Sequence, residues 1–173
     1  MGYDADAMAV ATATPDGAPS VRMVLLKGVD EHGLVFFTNY SSRKGAELEQ
    51  NPRAALLFHW QPLGRQVRVE GPVSKMDRVE GEAYARSRPR QSQLSALASP
   101  QSAVVPDREW LERRVAELDR EYEGRDLPVG EHLGGFRVEP EAWEFWEHDE
   151  ARLHDRHRYT RTDGGWRVER LAP

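Results

Sequence analysis

The fold is decided by Met8–Thr14 (MAVATAT), the turn Pro15-Asp16-Gly17 and Val21–Lys27 (VRMVLLK). Two apolar runs with β-branched residues flank a Pro-Asp-Gly turn, and that pattern predicts a β-hairpin. Working outward, Asp30-Glu31-His32-Gly33 turns the chain into a third strand, Leu34–Thr38. Ser41-Ser42 caps a helix running to about Gln50, which Asn51-Pro52 ends. Ala54–Trp60 and Gln66–Glu70 read as two more strands joined around Pro62-Leu63-Gly64. The middle of the chain is helical, with helices over Asp77–Arg86, Gln91–Ala98 and Asp107–Glu123, the last opened by Pro106. Leu111, Val115, Leu118 and Tyr122 step by four, three and four, so they form one apolar stripe, read as core and not as a cofactor site. Strands return at Gly135–Val138, Trp143–Glu147 and Leu153–Arg161, and Asp163-Gly164-Gly165 turns into Trp166–Leu171. Many strands with a few helices between them predict a mainly β protein, an antiparallel barrel with helices packed outside it.

Composition narrows the function. A chain of 173 residues, 39% of them apolar, suits a single domain over 1–173 with a real core. The formal net charge of −5, from 24 basic and 29 acidic side chains, argues against general nucleic-acid binding, which needs a basic face. Cysteine is absent, which excludes disulfides and thiolate metal sites and fits a cytoplasmic protein. Runs such as Ala54–Phe58 are too short to span a bilayer, so no membrane partner is expected. The N-terminus Met1–Asp6 is acidic and lacks a signal-peptide pattern.

Candidate chemistry is concentrated in a few segments. If Arg152-Leu153-His154-Asp155-Arg156 is a strand, alternation puts Arg152, His154 and Arg156 on one face. Two cations then flank a titratable imidazole, an anion site, with Trp146 just upstream as a flat apolar wall. The competing reading is the charged outer face of an edge strand. Arg22 and Lys27 bracket Met23-Val24-Leu25-Leu26 at an odd separation, so an ideal strand points them to opposite faces. Ser42-Arg43-Lys44 lies at a helix start, where free N–H groups favour phosphate, although two solvated cations would read the same way. The Gln66 amide suits a heterocycle edge or an exposed sheet face. Tyr84, Arg88 and Ser92, four apart across helix-breaking Pro89, offer a phenol, a guanidinium and a hydroxyl to one phosphate ester. Gln101-Ser102 follows Pro100 in a polar loop.

Other chemistries find no support. The chain has no Gly-rich nucleotide loop and no nucleophile elbow. His148, His154 and His157 lie near Asp149 and Asp155, but odd spacing makes His154 and His157 diverge, so no metal is expected.

In order along the chain, Arg22–Lys27, Phe37-Thr38-Asn39, Ser42-Arg43-Lys44, Asn51-Pro52-Arg53, Arg65-Gln66-Val67, Ser87-Arg88-Pro89-Arg90, Gln101-Ser102, Glu144-Phe145-Trp146, Arg152–Arg156 and Arg170-Leu171-Ala172-Pro173 together resemble the pyridoxine/pyridoxamine 5′-phosphate oxidase family. The match runs from about Asp6 to the last residue, and its specificity lies in the whole ordered set. The resemblance implies an FMN-binding split β-barrel that works as a homodimer with FMN at the subunit interface. It implies FMN contacts at Arg22, Met23, Val24, Leu25, Leu26, Lys27, Phe37, Thr38, Arg43, Lys44, Gln66, Gln101, Ser102, Trp146 and Arg156. It implies substrate contacts at Lys27, Tyr84, Arg88, Ser92, Arg152, Leu153 and His154, with Arg152 and His154 catalytic. The implied reaction is oxidation of pyridoxamine or pyridoxine 5′-phosphate at C4′ to pyridoxal 5′-phosphate, a vitamin B6 salvage step. Oxygen is the acceptor and hydrogen peroxide a product.

Three departures stand out. Members of the family usually carry a longer N-terminal segment, whereas this chain starts just before the first strand. Glu147-His148-Asp149 follows Trp146 where the family usually has Gln-Gly, and Phe37 replaces a frequent Tyr. Two alternatives follow: a related FMN oxidase acting on phenazine-type precursors, and a non-catalytic flavin- or pyridoxal-phosphate-binding protein.

Overall fold

The computed structural model describes residues 4–173; Met1–Tyr3 of the acidic N-terminal reading lie outside the described residues. The chain divides into two compact units, one formed by Met1–Phe36, Glu47–Ser74 and Phe136–Pro173, the other by Phe37–Ala46 and Lys75–Gly135.

The strands are β1 (Ala7–Ala13), β2 (Pro19–Asp30), β3 (Gly33–Asn39), β4 (Arg53–Trp60), β5 (Arg65–Lys75), β6 (Leu133–Val138), β7 (Ala142–Glu147), β8 (Asp155–Thr162) and β9 (Gly165–Arg170). The helices are α1 (Arg43–Gln50), α2 (Arg78–Ser87), α3 (Arg90–Ala98) and α4 (Arg108–Glu121). Strand order is β4-β1-β2-β3-β6-β5-β7-β8-β9, and β4 also pairs with β5. That extra pairing closes six strands into an antiparallel barrel, and β7, β8 and β9 continue outward from β5. The split-barrel expectation is met.

In the first unit the β1–β2 hairpin turns as its sequence dictates. Gly17 takes φ 90°, its N–H donates to the Thr14 carbonyl at 2.9 Å, and the Ala18 carbonyl accepts from Thr14 N at 3.1 Å. Strict alternation on β1 sends Met8, Val10 and Thr12 inward. They join Phe36, Leu56, Phe58, Val69, Phe136 and Val138 in the barrel core, where the Phe36 and Phe136 rings lie 5.8 Å apart. Each apolar side chain in this set contributes about 1.5–3 kcal/mol of burial free energy.

Strand β5 runs to Lys75, past the expected end at Glu70. A β-carbon at Gly71 would lie 1.9 Å from the Glu139 carbonyl oxygen, so only glycine lets the chain carry the strand through this point. Thr12, Ser20 and Arg22 also meet the buried Glu47 of α1. Ser20 Oγ donates to its carboxylate at 2.5 Å, Arg22 Nη2 lies 3.4 Å from it, and Thr12 Oγ1 donates to it as well.

The second unit is organised by helix starts and ends. Asp77 accepts from Val79 N at 2.7 Å and Asp107 from Trp110 N at 2.6 Å, so both aspartates precede their helices as caps. Leu94, Ala98, Leu118 and Leu127 form the core here, with Val115 and Tyr122 of the predicted stripe packed on it. Leu111 is half-buried and outside that cluster. Arg90 closes the end of α4, donating to the Tyr122 carbonyl at 2.9 Å and the Arg125 carbonyl at 3.0 Å.

Candidate functional site

In the first unit, antiparallel register pairs Gln66 of β5 with Trp146 of β7, and Trp146 with Arg156 of β8. Three of the predicted cofactor residues thus form one cross-strand row, an amide, an indole and a guanidinium fixed by backbone ladders. Arg156 is anchored from behind. Its Nε donates to Glu144 Oε1 at 2.8 Å and its Nη1 to the Ala172 carbonyl at 2.8 Å. The Glu144 carboxylate is buried, and its hydrogen bond holds the Arg156 pKa above the ordinary guanidinium value.

The strand reading of Arg152–Arg156 is corrected. Strand β7 ends at Glu147, paired with Asp155, the first residue of β8, so residues 148–154 are the connecting loop. Arg152 sits at φ 62°, outside any strand conformation, and strand alternation does not place it with His154 and Arg156. The cause is Asp149: its Oδ1 accepts from Ala151 N at 2.9 Å and Leu153 N at 3.2 Å, and its carbonyl accepts from Arg152 N at 3.0 Å. Such local side-chain bonds outcompete a sheet ladder. The loop nevertheless returns His154 to Trp146, with ring centroids 4.6 Å apart. His148 stands beside both, 5.4 Å from His154 and 6.1 Å from Trp146. Leu153 is exposed.

Strand β2 carries Arg22–Lys27. Arg22 is half-buried and turned to the Glu47 network, donating to Thr12 Oγ1 at 2.6 Å and the Val10 carbonyl at 3.2 Å. Val24 and Leu26 are half-buried, while Met23 and Leu25 are exposed. Lys27 is exposed at a register shift, between the Leu26–Phe36 and Gly28–Val35 pairs. A bulge there re-aims its side chain.

In the second unit, Lys44 is buried and its ammonium donates to Thr38 Oγ1 at 3.0 Å and Gln101 Oε1 at 2.9 Å, with Ser42 Oγ at 3.4 Å. Ser42 precedes α1 and its Oγ accepts from Gly45 N at 3.3 Å, capping the helix. Arg43, at the first helical position, is exposed. Gln101 belongs to the turn Pro100–Ala103, closed by Ala103 N donating to the Pro100 carbonyl at 2.9 Å, with Ser102 at φ 72°. Ser102 and Arg152 are the two non-glycine residues at positive φ among the described residues, and both belong to the predicted set. Backbone strain of this kind, about 1–3 kcal/mol each, gathers at functional positions.

Tyr84 lies on α2, Arg88 is the extended residue that ends it, and Ser92 lies in the first turn of α3; all three are half-buried. Gln93 Nε2 donates to the Arg88 carbonyl at 2.7 Å and fixes this corner. Phe37 stacks on Tyr84 at 3.7 Å between centroids and 13° between planes.

In the second unit, a buried ammonium with hydroxyl and amide neighbours at a helix start suits a phosphate such as that of FMN; in the first, the Gln66–Trp146–Arg156 row suits the edge and face of a heterocycle such as the flavin. Sequence reasoning passed over Glu47 and gave no holding role to Glu144, quoted only within Glu144-Phe145-Trp146, or to Asp149. For Asp149 the signal was local, an aspartate two and four residues before the N–H groups it captures.

Residues 4–120 match the family model described as pyridoxamine 5′-phosphate oxidase, and residues 134–173 match the pyridoxine 5′-phosphate oxidase C-terminal dimerisation region. A pyridoxine/pyridoxamine 5′-phosphate oxidase of Rubrobacter xylanophilus is 57% identical over 99% of this chain and 79% of its own length. Among solved structures, PhzG from Burkholderia lata 383, in complex with tetrahydrophenazine-1-carboxylic acid, superposes with a TM-score of 0.92 at 35% identity, covering 98% of this chain and 83% of that one. A pyridoxamine 5′-phosphate oxidase-related, FMN-binding protein of Nostoc punctiforme shares the fold, with a TM-score of 0.76 at 19% identity over 98% of this chain and 89% of that one. With both family models matched and more than half its residues identical to a near-full-length relative, the chain belongs to the pyridoxamine 5′-phosphate oxidase family.

Proposed function

We propose that the protein oxidises pyridoxamine 5′-phosphate and pyridoxine 5′-phosphate to pyridoxal 5′-phosphate, with FMN as cofactor, oxygen as acceptor and hydrogen peroxide as product. The observation that carries this reading is the 57% identity, over 99% of the chain, to a relative named for those two substrates. FMN, when bound, supplies the two-electron chemistry at the substrate C4′ carbon. The protein supplies position and charge.

In this reading Arg43 and Lys44 hold the FMN phosphate together with Thr38, Gln101 and Ser102, while Phe37 lies beside them. Gln66, Trp146 and Arg156 hold the ring, and Arg22, Met23, Val24, Leu25, Leu26 and Lys27 line the cofactor with backbone and side chains. Tyr84, Arg88 and Ser92 bind the substrate phosphate. Among the described residues Arg88 and Arg152 enter no ion pair, which leaves both guanidinium groups for an anion or a ring substituent. Arg152, Leu153 and His154 orient the pyridine ring and its C4′ substituent, Lys27 touches both ligands, and positioning accounts for most of the residues' contribution. The protein works as a homodimer, supported by the match to the dimerisation region and by the exposed apolar face Val21, Met23 and Leu25 on β2. We place it in the cytoplasm. No helix among the described residues is long and apolar enough to cross a membrane.

A phenazine-type substrate is the second reading, favoured by the ligand of the Burkholderia structure. The corner of Tyr84, Arg88 and Ser92 argues for the phosphorylated one. Anaerobic mixing of FMN-loaded protein with pyridoxamine 5′-phosphate decides. Bleaching of the visible flavin band, restored by air, is expected. A yellow protein unchanged by either B6 phosphate overturns the reading and leaves a different substrate or a binding role.

A further inference from the structure

We infer that Asp149 is a positioning residue for His154 and Arg152, a role that rests on the oxidase reading above. Asp149 makes four bonds within the connecting loop. Its Oδ1 takes the N–H groups of Ala151 and Leu153, its carbonyl takes that of Arg152, and its own N–H donates to His154 Nδ1 at 3.1 Å. The last bond has a chemical consequence. A ring nitrogen that accepts from a backbone N–H carries no proton, so the neutral imidazole bears its hydrogen on Nε2. His154 is therefore set to donate from Nε2, with its ring held 4.6 Å from Trp146.

The first three bonds fix the backbone that carries Arg152, which stays at φ 62° although its side chain offers no local hydrogen bond to hold it there. Without the carboxylate, the N–H groups of Ala151 and Leu153 lose their acceptor. The two main-chain bonds of residue 149, to Arg152 N–H and to His154 Nδ1, are then left to hold residues 150–153 alone. As the loop loosens, Arg152 relaxes toward negative φ and the bond to His154 is made only part of the time. Both side chains then lose their aim together. Misplacement by about 1 Å in a positioning group costs roughly a hundredfold in rate. The carboxylate acts here through its oxygen as an acceptor, so Asn preserves the function and Ala does not.

The test compares Asp149→Ala, Asp149→Asn and the unmodified FMN-loaded protein. Asp149 is exposed, so neither change leaves a cavity. The expected result is a fall of roughly ten- to a hundredfold in the rate of anaerobic flavin reduction at saturating pyridoxamine 5′-phosphate for Asp149→Ala. FMN affinity and melting temperature stay at their original values, and Asp149→Asn recovers at least half the rate. In parallel, nitrogen-15 spectra of the imidazoles read the His154 tautomer without any turnover. The Nε2–H form is expected in the unmodified protein and in Asp149→Asn, and a mixture of tautomers in Asp149→Ala. Unchanged reduction in Asp149→Ala, or the same tautomer in all three proteins, overturns the inference. If the unmodified protein is not reduced at all, the substrate assignment fails, and the tautomer comparison alone decides the role of Asp149.

Discussion

The barrel unit and the helical unit hold their candidate ligand-binding cations by different means. In the barrel, Arg22 and Arg156 each lean on a buried carboxylate, Glu47 at 5% and Glu144 at 8% exposure, and both lie on strands whose register is set by neighbours on either side. In the helical unit, Lys44 is held by Thr38, Ser42 and Gln101, and Arg88 by the chain direction at the end of α2. A cation tied to a buried carboxylate is a structural member as much as a contact, and its loss shows first in stability. A buried cation at a helix start, among hydroxyl and amide oxygens, is placed to meet an anion, and its loss shows first in affinity.

The largest effect should come from breaking the barrel side. Glu47→Ala leaves Arg22 half-buried without its carboxylate and should destabilise the protein by about 3 kcal/mol. That is roughly a 10 °C fall in Tm by thermal melting, with the comparison weakened if the fall is under about 2 °C. Next comes Lys44→Met, which removes a charged donor while keeping the stem. FMN should bind ten- to a hundredfold more weakly by fluorescence titration, at nearly constant Tm. A large loss of stability with little change in affinity would place Lys44 with the structural cations instead.

Arg88→Ala should raise KM for pyridoxamine 5′-phosphate about tenfold and leave FMN binding close to normal; loss of FMN in that variant would merge the two phosphate sites. The smallest effect concerns the acid limb. Arg137 donates a hydrogen bond to Asp30 and Arg158 one to Glu169, and these bonds hold both carboxyl groups below their ordinary range. A lowered folded-state pKa gives stability that is present above the unfolded value, near 4, and lost as pH falls through the folded one. Asp30→Asn should therefore lower the denaturation midpoint slightly at pH 7 and flatten its decline below about pH 4, so that the variant and the unmodified protein converge at low pH.

Much of this architecture was legible in the residues. Pro15-Asp16-Gly17 specified its hairpin, Ser42 its helix start, and the Val115–Leu118–Tyr122 stripe its packing face, because each depends on local chemistry within a few residues. Legibility failed where a distant atom or a side chain took the decision. Strand β5 continues past Glu70 because Gly71 admits the Glu139 carbonyl, a neighbour invisible in sequence. The Arg152–His154 segment alternates like a strand on paper, yet Asp149 folds it into a loop. Glu47 carried no signal and Glu144 none beyond its place in Glu144-Phe145-Trp146, since a buried carboxylate is recognised only by the guanidinium that reaches it. The candidate residues themselves were found largely through family resemblance; the geometry adds how each is held.

Barrel closure has a consequence for the behaviour of the chain in a crowded solution. Because β4 is paired on both sides, β9 is the sheet's one unpaired border among the described strands. Open borders recruit strands from other molecules and seed aggregates. This border is short, Gly165–Arg170, and intersperses Arg167, Glu169 and Arg170 with Trp166 and Val168. Charged side chains on so brief a strand make stacking of further copies unfavourable, so the molecule exposes a hydrogen-bonding edge while resisting fibril growth along it.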